Sequence, residues 1–363
     1  MPELTSRERI ARILRREPVD RIGVYESFWG DTQNAWRDQG HLREGESILD
    51  HFGLDIRTGG WVNVVADLDH GNVIVEEDDE TKLVRNGNGA LLRWWKTHDG
   101  TPEHVDFLVR DRATWQVHCR EHLTDTADDR RRIPFENYRQ AKAKCREEEL
   151  FFCWGGVNVF ECIHPVCGHE YMLMGMALDP EWVFDMCDVF ADLTIRLQQI
   201  LFAEEGAPDG IWYYEDMGFK LRPFMSPKMY KEIVWPAHKK TFDYAKSLGL
   251  PVIVHSCGFV EPLVPGLIEA GMDCLQAMEV KAGMDLVQLK RDYGEHIALM
   301  GGLDIRSLES NDTARVEAEL LAKVPVAMAG GGYCLHTDHS VSSRVHYETY
   351  RYFVDRGLEI GTY

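Results

Sequence analysis

Apolar residues fall into two alternating patterns along this chain. Stretches stepping by three and four end at a glycine, and a short unbroken apolar run follows. Leu248-Gly249 leads into Pro251-Val-Ile-Val-His255, Ala270-Gly271 into Cys274-Leu-Gln-Ala277, and Tyr293-Gly294 into Ile297-Ala-Leu-Met300. Glycine after a helix relieves the left-handed strain of the stop, and apolar runs without alternation suit strands buried on both faces. Helix starts agree with the stops. Thr5-x-x-Glu8 is a capping-box pattern, and Asp179-Pro180 and Ser226-Pro227 set a capping side chain before a first-turn proline. Val183, Met186, Phe190, Leu193, Leu197 and Ile200 form one apolar stripe ending at Gly206.

Strands are predicted at Ile22–Glu26, Phe151–Gly155, Ile211–Glu215, Pro251–His255, Cys274–Ala277, Ile297–Gly301 and Gly332–Leu335, with an eighth between Asp55 and Arg110. Alternating strands and helices imply a parallel sheet, and eight strands close it into a single (β/α)8 barrel, the TIM-barrel class, over residues 1–363. The stretch 61–95 reads differently. Val73-Ile-Val75, Lys82-Leu-Val84 and Ala90-Leu-Leu92 are separated by acidic residues and by Asn86-Gly87, a hairpin signal. It is expected to be an antiparallel excursion early in the barrel, and the charged stretch 125–132 an exposed connection.

Composition narrows the function classes. Hydrophobic residues make up 44 % and charged residues 28 %, which excludes a disordered chain, a collagen and a coiled coil. No stretch approaches the ~18 apolar residues of a membrane span. Met-Pro-Glu-Leu-Thr-Ser-Arg-Glu-Arg lacks the apolar region of a secretory signal. The net charge of −20 repels phosphate backbones and anionic lipid, arguing against nucleic-acid and membrane-surface roles. Nine irregularly spaced cysteines form no disulfide framework, so a cytoplasmic location with mostly buried thiols is expected.

In such a barrel the chemistry gathers where strands end. Polar residues cluster there: Glu215-Asp216, His255-Ser-Cys257-Gly258, Gly301-Gly-Leu-Asp304, and Cys334-Leu-His336-Thr-Asp338-His339. His255 and Cys257 sit two apart on an extended chain, so imidazole and thiol point to one side. With Cys334 they would give three ligands and an open fourth position, a catalytic zinc pattern. The bland alternative is a buried histidine and two core cysteines. Glu215 or Asp216 and His339 are candidate catalytic groups, and a helix cap is the alternative for each. Trp29, Trp154, Asn158, Glu161 and Asp304 are candidate substrate contacts near the same rim. Cys162-Ile-His164-Pro-Val-Cys167-Gly-His169 matches no standard zinc spacing and reads as packing and loop structure, with His164, just past a strand end, placed to line a pocket.

Ser6-Arg-Glu-Arg with Glu17-Pro18-Val-Asp20-Arg21, Glu215-Asp-Met-Gly with Ser226-Pro227, Tyr230 and Pro236, His255-Ser-Cys-Gly258 and Met300-Gly-Gly-Leu-Asp304 together resemble the uroporphyrinogen decarboxylase superfamily, in motif order over nearly the whole chain. The resemblance implies one (β/α)8 barrel. The Arg-Gln-Ala-Gly-Arg motif of true uroporphyrinogen decarboxylases is absent, with Glu26-Ser-Phe-Trp-Gly-Asp31 near its place. The chain is more similar to the corrinoid-dependent methyltransferases, in which His-x-Cys and a distant cysteine hold zinc. That resemblance implies Zn2+ on His255, Cys257 and Cys334. Tyr333-Cys334 leads here into Thr-Asp-His-Ser, a departure from the branch's pattern, and Glu215, His336 or His339 could supply the third ligand instead. It also implies transfer of a methyl group from a small methoxylated or methylated compound, such as an aryl methyl ether, to a corrinoid. No Asp-x-His-x-x-Gly corrinoid motif occurs, so the cobamide would arrive on a partner protein. A homodimer is compatible with this class. Two other readings stand beside it: a metal-independent decarboxylase of a small acid with Asp216 as the acid, and a barrel that only binds a small ligand.

Overall fold

A computed structural model describes residues 3–97 and 100–363. The barrel strands are β1 (Gly23–Val24), β2 (Ile56–Gly59), β7 (Phe151–Val157), β8 (Gly210–Tyr214), β11 (Val252–Ser256), β12 (Cys274–Ala277), β13 (Ala298–Gly301) and β14 (Tyr333–Leu335). Their order is β1-β14-β13-β12-β11-β8-β7-β2, and all pairs run parallel. β2 is the eighth strand that the sequence left unplaced. The seam between β1 and β2 is closed by the Asp55 amide donating to the Val24 carbonyl at 2.8 Å.

Between β2 and β7 the chain builds a separate antiparallel sheet from β3 (Val73–Glu77), β4 (Thr81–Arg85), β5 (Leu91–Trp95) and β6 (Glu103–Asp106). Asn86 turns β4 into β5, its side chain accepting from the amides of Asn88 and Ala90. The excursion therefore exists, but it extends beyond 95 and has a fourth strand. β9 (Gly218–Phe219) and β10 (Arg222–Pro223) form a short hairpin over the end of β8. In the connection 125–132, Asp129 and Arg132 are buried rather than exposed. Asp129 pairs with Arg196, and Arg132 donates to the carbonyls of Asn63, Val65 and Ala66.

Alternation along the strands sorts side chains into two cores. Tyr25, Ile56, Cys153, Trp212, Ile253, Cys274, Met300 and Cys334 share one buried cluster with Ile10, Ile13 and Leu14 of the helix Ser6–Leu14. That helix, started by the expected Thr5–Glu8 capping box, packs its apolar face against one end of the barrel. The larger cluster lies between strands and outer helices. The helix Pro180–Glu205 buries the expected stripe from Val183 to Leu197, with Ile200 half-buried, but Asp179 does not cap it. Its carboxylate pairs with Arg112 instead. Among the described residues, no helix is long and apolar enough to cross a membrane.

Candidate metal centre and cavity

The centre is built from the ends of β8, β11 and β12. Tyr214 pairs in register with His255, and His255 with Gln276. His255 Nε2 lies 3.4 Å from Cys257 Sγ and 3.3 Å from the Asp216 carboxylate. One ligand atom from each of Asp216, His255 and Cys257 falls within 4.8 Å of the others. The Cys257 amide also donates to Asp216 at 2.8 Å, fixing the carboxylate beside the thiol.

His255 is oriented from behind. Its Nδ1 donates to Gln276 Oε1, the Gln276 amide Nε2 lies 3.1 Å from His336 Nε2, and His336 Nδ1 donates to the Thr337 carbonyl. Burial pulls His336 down to about 3, so its ring is neutral and Nε2 accepts. This relay keeps a proton on His255 Nδ1, pointed at Gln276 Oε1, and aims Nε2 at Cys257 and Asp216. Such outer partners fix the ring orientation of metal-binding histidines.

Charges follow from this arrangement. Burial opposes charge on His255, yet Cys257 and Asp216 outweigh it and raise the imidazole well above its ordinary value. Burial likewise pushes Asp216 up, but the hydrogen bond and charge of His255 overcome it and hold the carboxyl at about 2. Burial raises the Cys257 thiol against the pull of His255.

A cavity of about 770 Å3 opens over the centre, with Asp216, Cys257 and Gly258 in its wall. Its aromatic walls are Phe219 and Phe224, not the expected tryptophans. Glu161 and His164 line it, as do His104 of β6 and His169. The inserted sheet therefore contributes to the cavity.

Other expected residues lie elsewhere. Cys334 is buried in the barrel interior, where its Sγ packs near Gly23. It is not among the ligand atoms gathered at His255 and Cys257. Strand pairing sets Cys334 beside Met300 and Met300 beside Gln276, but barrel strands tilt, and the side chain that meets Gln276 is that of His336, two residues on, ~6.6 Å further along the strand. Glu215 is fully buried and faces away from the cavity. It accepts from the amides of Phe160 and Glu161 and bonds His238 at 2.7 Å, so it holds the loop that carries Glu161. Trp154 points outward from β7 against Tyr138 and Tyr213, because its neighbour Cys153 faces in. Asn158 bonds Thr241 in the same outer core. Asp304 caps the helix Ile305–Glu309 and pairs with Arg306. Trp29 and His339 lie beside each other, with ring centroids 6.3 Å apart, and neither is in the cavity wall. Cys162 and Cys167 are buried thiols, as the packing reading expects, but His164 and His169 of that segment face the cavity. Sequence reasoning missed Gln276, His104 and His169. Gln276 carries no motif, and His104 meets the other two only through the tertiary fold.

Against known proteins, the uroporphyrinogen decarboxylase (URO-D) family pattern matches residues 160–359. A methylated-thiol–coenzyme M methyltransferase from Methanosarcina mazei is 28 % identical over 148 residues. That match spans 41 % of this chain and 37 % of the relative's length. Among solved structures, a methyltransferase from Methanosarcina mazei superposes with a TM-score of 0.69 at 16 % identity, covering 98 % of this chain and 99 % of that one. The structural likeness bears on the fold, and the family match takes in β8 through β14 and the side chains of the centre. The chain belongs to the uroporphyrinogen decarboxylase (URO-D) family.

Proposed function

We propose that this protein is a zinc-dependent methyltransferase that takes a methyl group from a small methylated or methoxylated compound and passes it to a corrinoid carried by a partner protein. The observation that carries the reading is the convergence of His255 Nε2, Cys257 Sγ and the Asp216 carboxylate at the barrel rim, with Cys257 and Asp216 in the cavity wall. Nitrogen, sulfur and oxygen donors with one position left open suit a catalytic zinc. The residues fit the ion: His255 and Cys257 would hold it as the sequence implies, and Asp216 would replace Cys334. Such an ion supplies Lewis acidity toward a heteroatom of the substrate.

The chain's own residues do the rest. Gln276 keeps the His255 ring turned toward Cys257 and Asp216. His255 Nε2 and Cys257 Sγ would have to give up their protons to hold the ion, so affinity would rise with pH. Phe219 and Phe224 offer flat apolar walls to the body of an aryl methyl ether or a methylated thiol, and the volume lies in the range of small-molecule sites, roughly 300–1,000 Å3. Residues 1–363 act as one unit in this reading, because barrel and inserted sheet both line the cavity. Nine free thiols suit the reducing cytoplasm. A metal-independent decarboxylase with Asp216 as proton donor is the weaker reading, since His255 holds that carboxyl ionised.

The test is a panel of methylated thiols and aryl methyl ethers with a reduced cobamide as acceptor, after zinc loading. Turnover by the parent protein and a loss of more than ~100-fold in His255→Ala and Cys257→Ala are expected for removal of a metal ligand. The proposal fails if His255→Ala transfers methyl groups as fast as the parent.

A further inference from the structure

A second cluster lies in the same cavity. His104, His164 and His169 each offer a ring nitrogen, and these atoms fall within 4.8 Å of one another. The rings stand nearly parallel, with centroids 4.5 Å apart for His164 and His169 and 5.6 and 5.9 Å for His104 against each. They come from two separate parts of the fold. His104 sits on β6, and His164 opens the helix His164–Leu178. His169 follows Gly168, whose φ of +70° kinks that helix. A Cβ at Gly168 would come within 2.5 Å of the Phe107 ring, so the inserted sheet and the kink fit directly together.

The hydrogen bonds leave ring nitrogens uncommitted. His164 Nε2 is bonded to Glu161 Oε1 at 2.9 Å, while its Nδ1 is buried without a partner. With the proton on Nε2, Nδ1 presents a lone pair. The His104 and His169 rings make no hydrogen bond among the described residues. Both rings stand in the cavity wall against His164. Neutral imidazoles with free lone pairs are metal ligands, and a carboxylate behind one of them is the usual second support.

We propose that His104, His164 and His169 form a second metal site, which binds a divalent transition ion such as Zn2+ and leaves a fourth position open to the cavity. Bonds of ~2.0–2.1 Å to zinc require nitrogens ~3.3 Å apart in a tetrahedral set, so side-chain rotations must draw the rings together. Glu161 joins the two centres: Oε1 holds His164, and Oε2 accepts the Asp216 amide at 3.2 Å. The centres differ in charge. A thiolate and a carboxylate cancel a dication at His255, Cys257 and Asp216, whereas three neutral imidazoles leave it intact. The second site therefore selects an anionic oxygen donor, a carboxylate or phenolate, inside a protein whose net charge of −20 repels anions elsewhere. This assignment rests on the methyltransferase reading only for what the ligand is used for; the ion itself is tested apart from it.

The full-length protein, stripped by a chelator and loaded with Co2+, separates the sites, because only the first has a sulfur ligand. About two ions per chain are expected in the parent. Cys257→Ala should keep one and lose the sulfur-to-cobalt absorption band. His169→Ala should keep one with that band intact, and His104→Gln, on the sheet, should behave the same. Circular dichroism verifies the fold of each variant. Added benzoate should perturb the cobalt spectrum of Cys257→Ala. One ion in the parent, with uptake and band unchanged in both histidine variants, overturns the second site and leaves the first standing. One ion lost in His169→Ala but kept in Cys257→Ala supports the second site and sinks the first. No bound ion overturns both.

Discussion

Gln276 is the residue that turns a buried histidine into a directed one. Its amide joins His255 to His336, and neither imidazole can rotate without breaking that link. Gln276→Leu should lower zinc affinity by about 10–100-fold, the usual cost of losing such a support, as read by competition against a chromophoric chelator. Cys334→Ala should bind zinc like the parent, since that thiol lies among apolar side chains inside the barrel. Equal loss in the two variants would return Cys334 to the centre. A second buried group sets a pH dependence. Burial raises Glu26 from 4.5 to about 8, against the hydrogen bonds from Thr337 and Ser27. The folded protein keeps that proton where the unfolded chain has lost it. The stability is fully present below about 4.5 and is lost progressively as pH rises toward about 8. The ceiling on this loss is about 5 kcal/mol. Glu26→Gln should flatten the decline, measured as urea midpoints at several pH values across that window. A parallel decline in parent and variant would assign it to other groups.

Elements, rather than single residues, decide how closely Asp216 approaches Cys257. Gly218 on β9 and Gly258 after β11 touch backbone to backbone. A Cβ on Gly258 would lie 2.2 Å from the Gly218 carbonyl carbon, and its φ of +77° is already left-handed. Each glycine follows a proposed ligand residue, Asp216 or Cys257, by one or two positions, so their contact sets the spacing of those side chains. Gly258→Ala should push the β9–β10 hairpin away and cost about 1–3 kcal/mol. Zinc affinity should fall more than the melting temperature suggests. Calorimetric titration beside a thermal melt decides it, and an unchanged affinity would break the link between this contact and the centre. This element also marks the limit of what the sequence discloses. His255-x-Cys257 was legible because the period of a strand is local, and Glu215-Asp216 because a strongly apolar strand ended there. Which of the two carboxylates faces the cavity, and that Cys334 lies in the barrel's inner cluster while His336 meets Gln276, depend on how tilted strands distant in sequence come together. The three histidines were legible only in part, since His164 and His169 share a segment but His104 arrives on an insertion.

At the scale of the whole molecule, closure of the barrel rests on one carboxylate. The strand order ends at β1 and β2, and Asp55 stands between them with its side chain fully buried. It accepts from the Val24 amide at 2.8 Å, from both terminal nitrogens of Arg21, from Arg9 at 3.1 Å and from the Ser6 hydroxyl at 2.6 Å. Arg9 is itself buried and also pairs with Asp20, so the same network pins the helix Ser6–Leu14 to the barrel. The alternation of strands and helices foretold a closed barrel, but nothing periodic in the sequence marks the seam or its fastening. Asp55→Ala leaves the guanidinium of Arg9 short of a partner and the Val24 amide with none, in a place water barely reaches. Removing one member of such a buried network costs about 3–5 kcal/mol. Asp55→Asn, which keeps an acceptor of the same shape, should cost less. Denaturant unfolding gives the totals, and amide exchange locates the effect. In Asp55→Ala the amides of Val24 and Asp55 should exchange faster by local opening, while those of Val252–Ser256 should change only as far as global stability does. Uniform acceleration around the barrel would mean that the seam is no weaker than any other strand pair, and the candidate metal centre, on β8 and β11 away from the seam, would then share its fate.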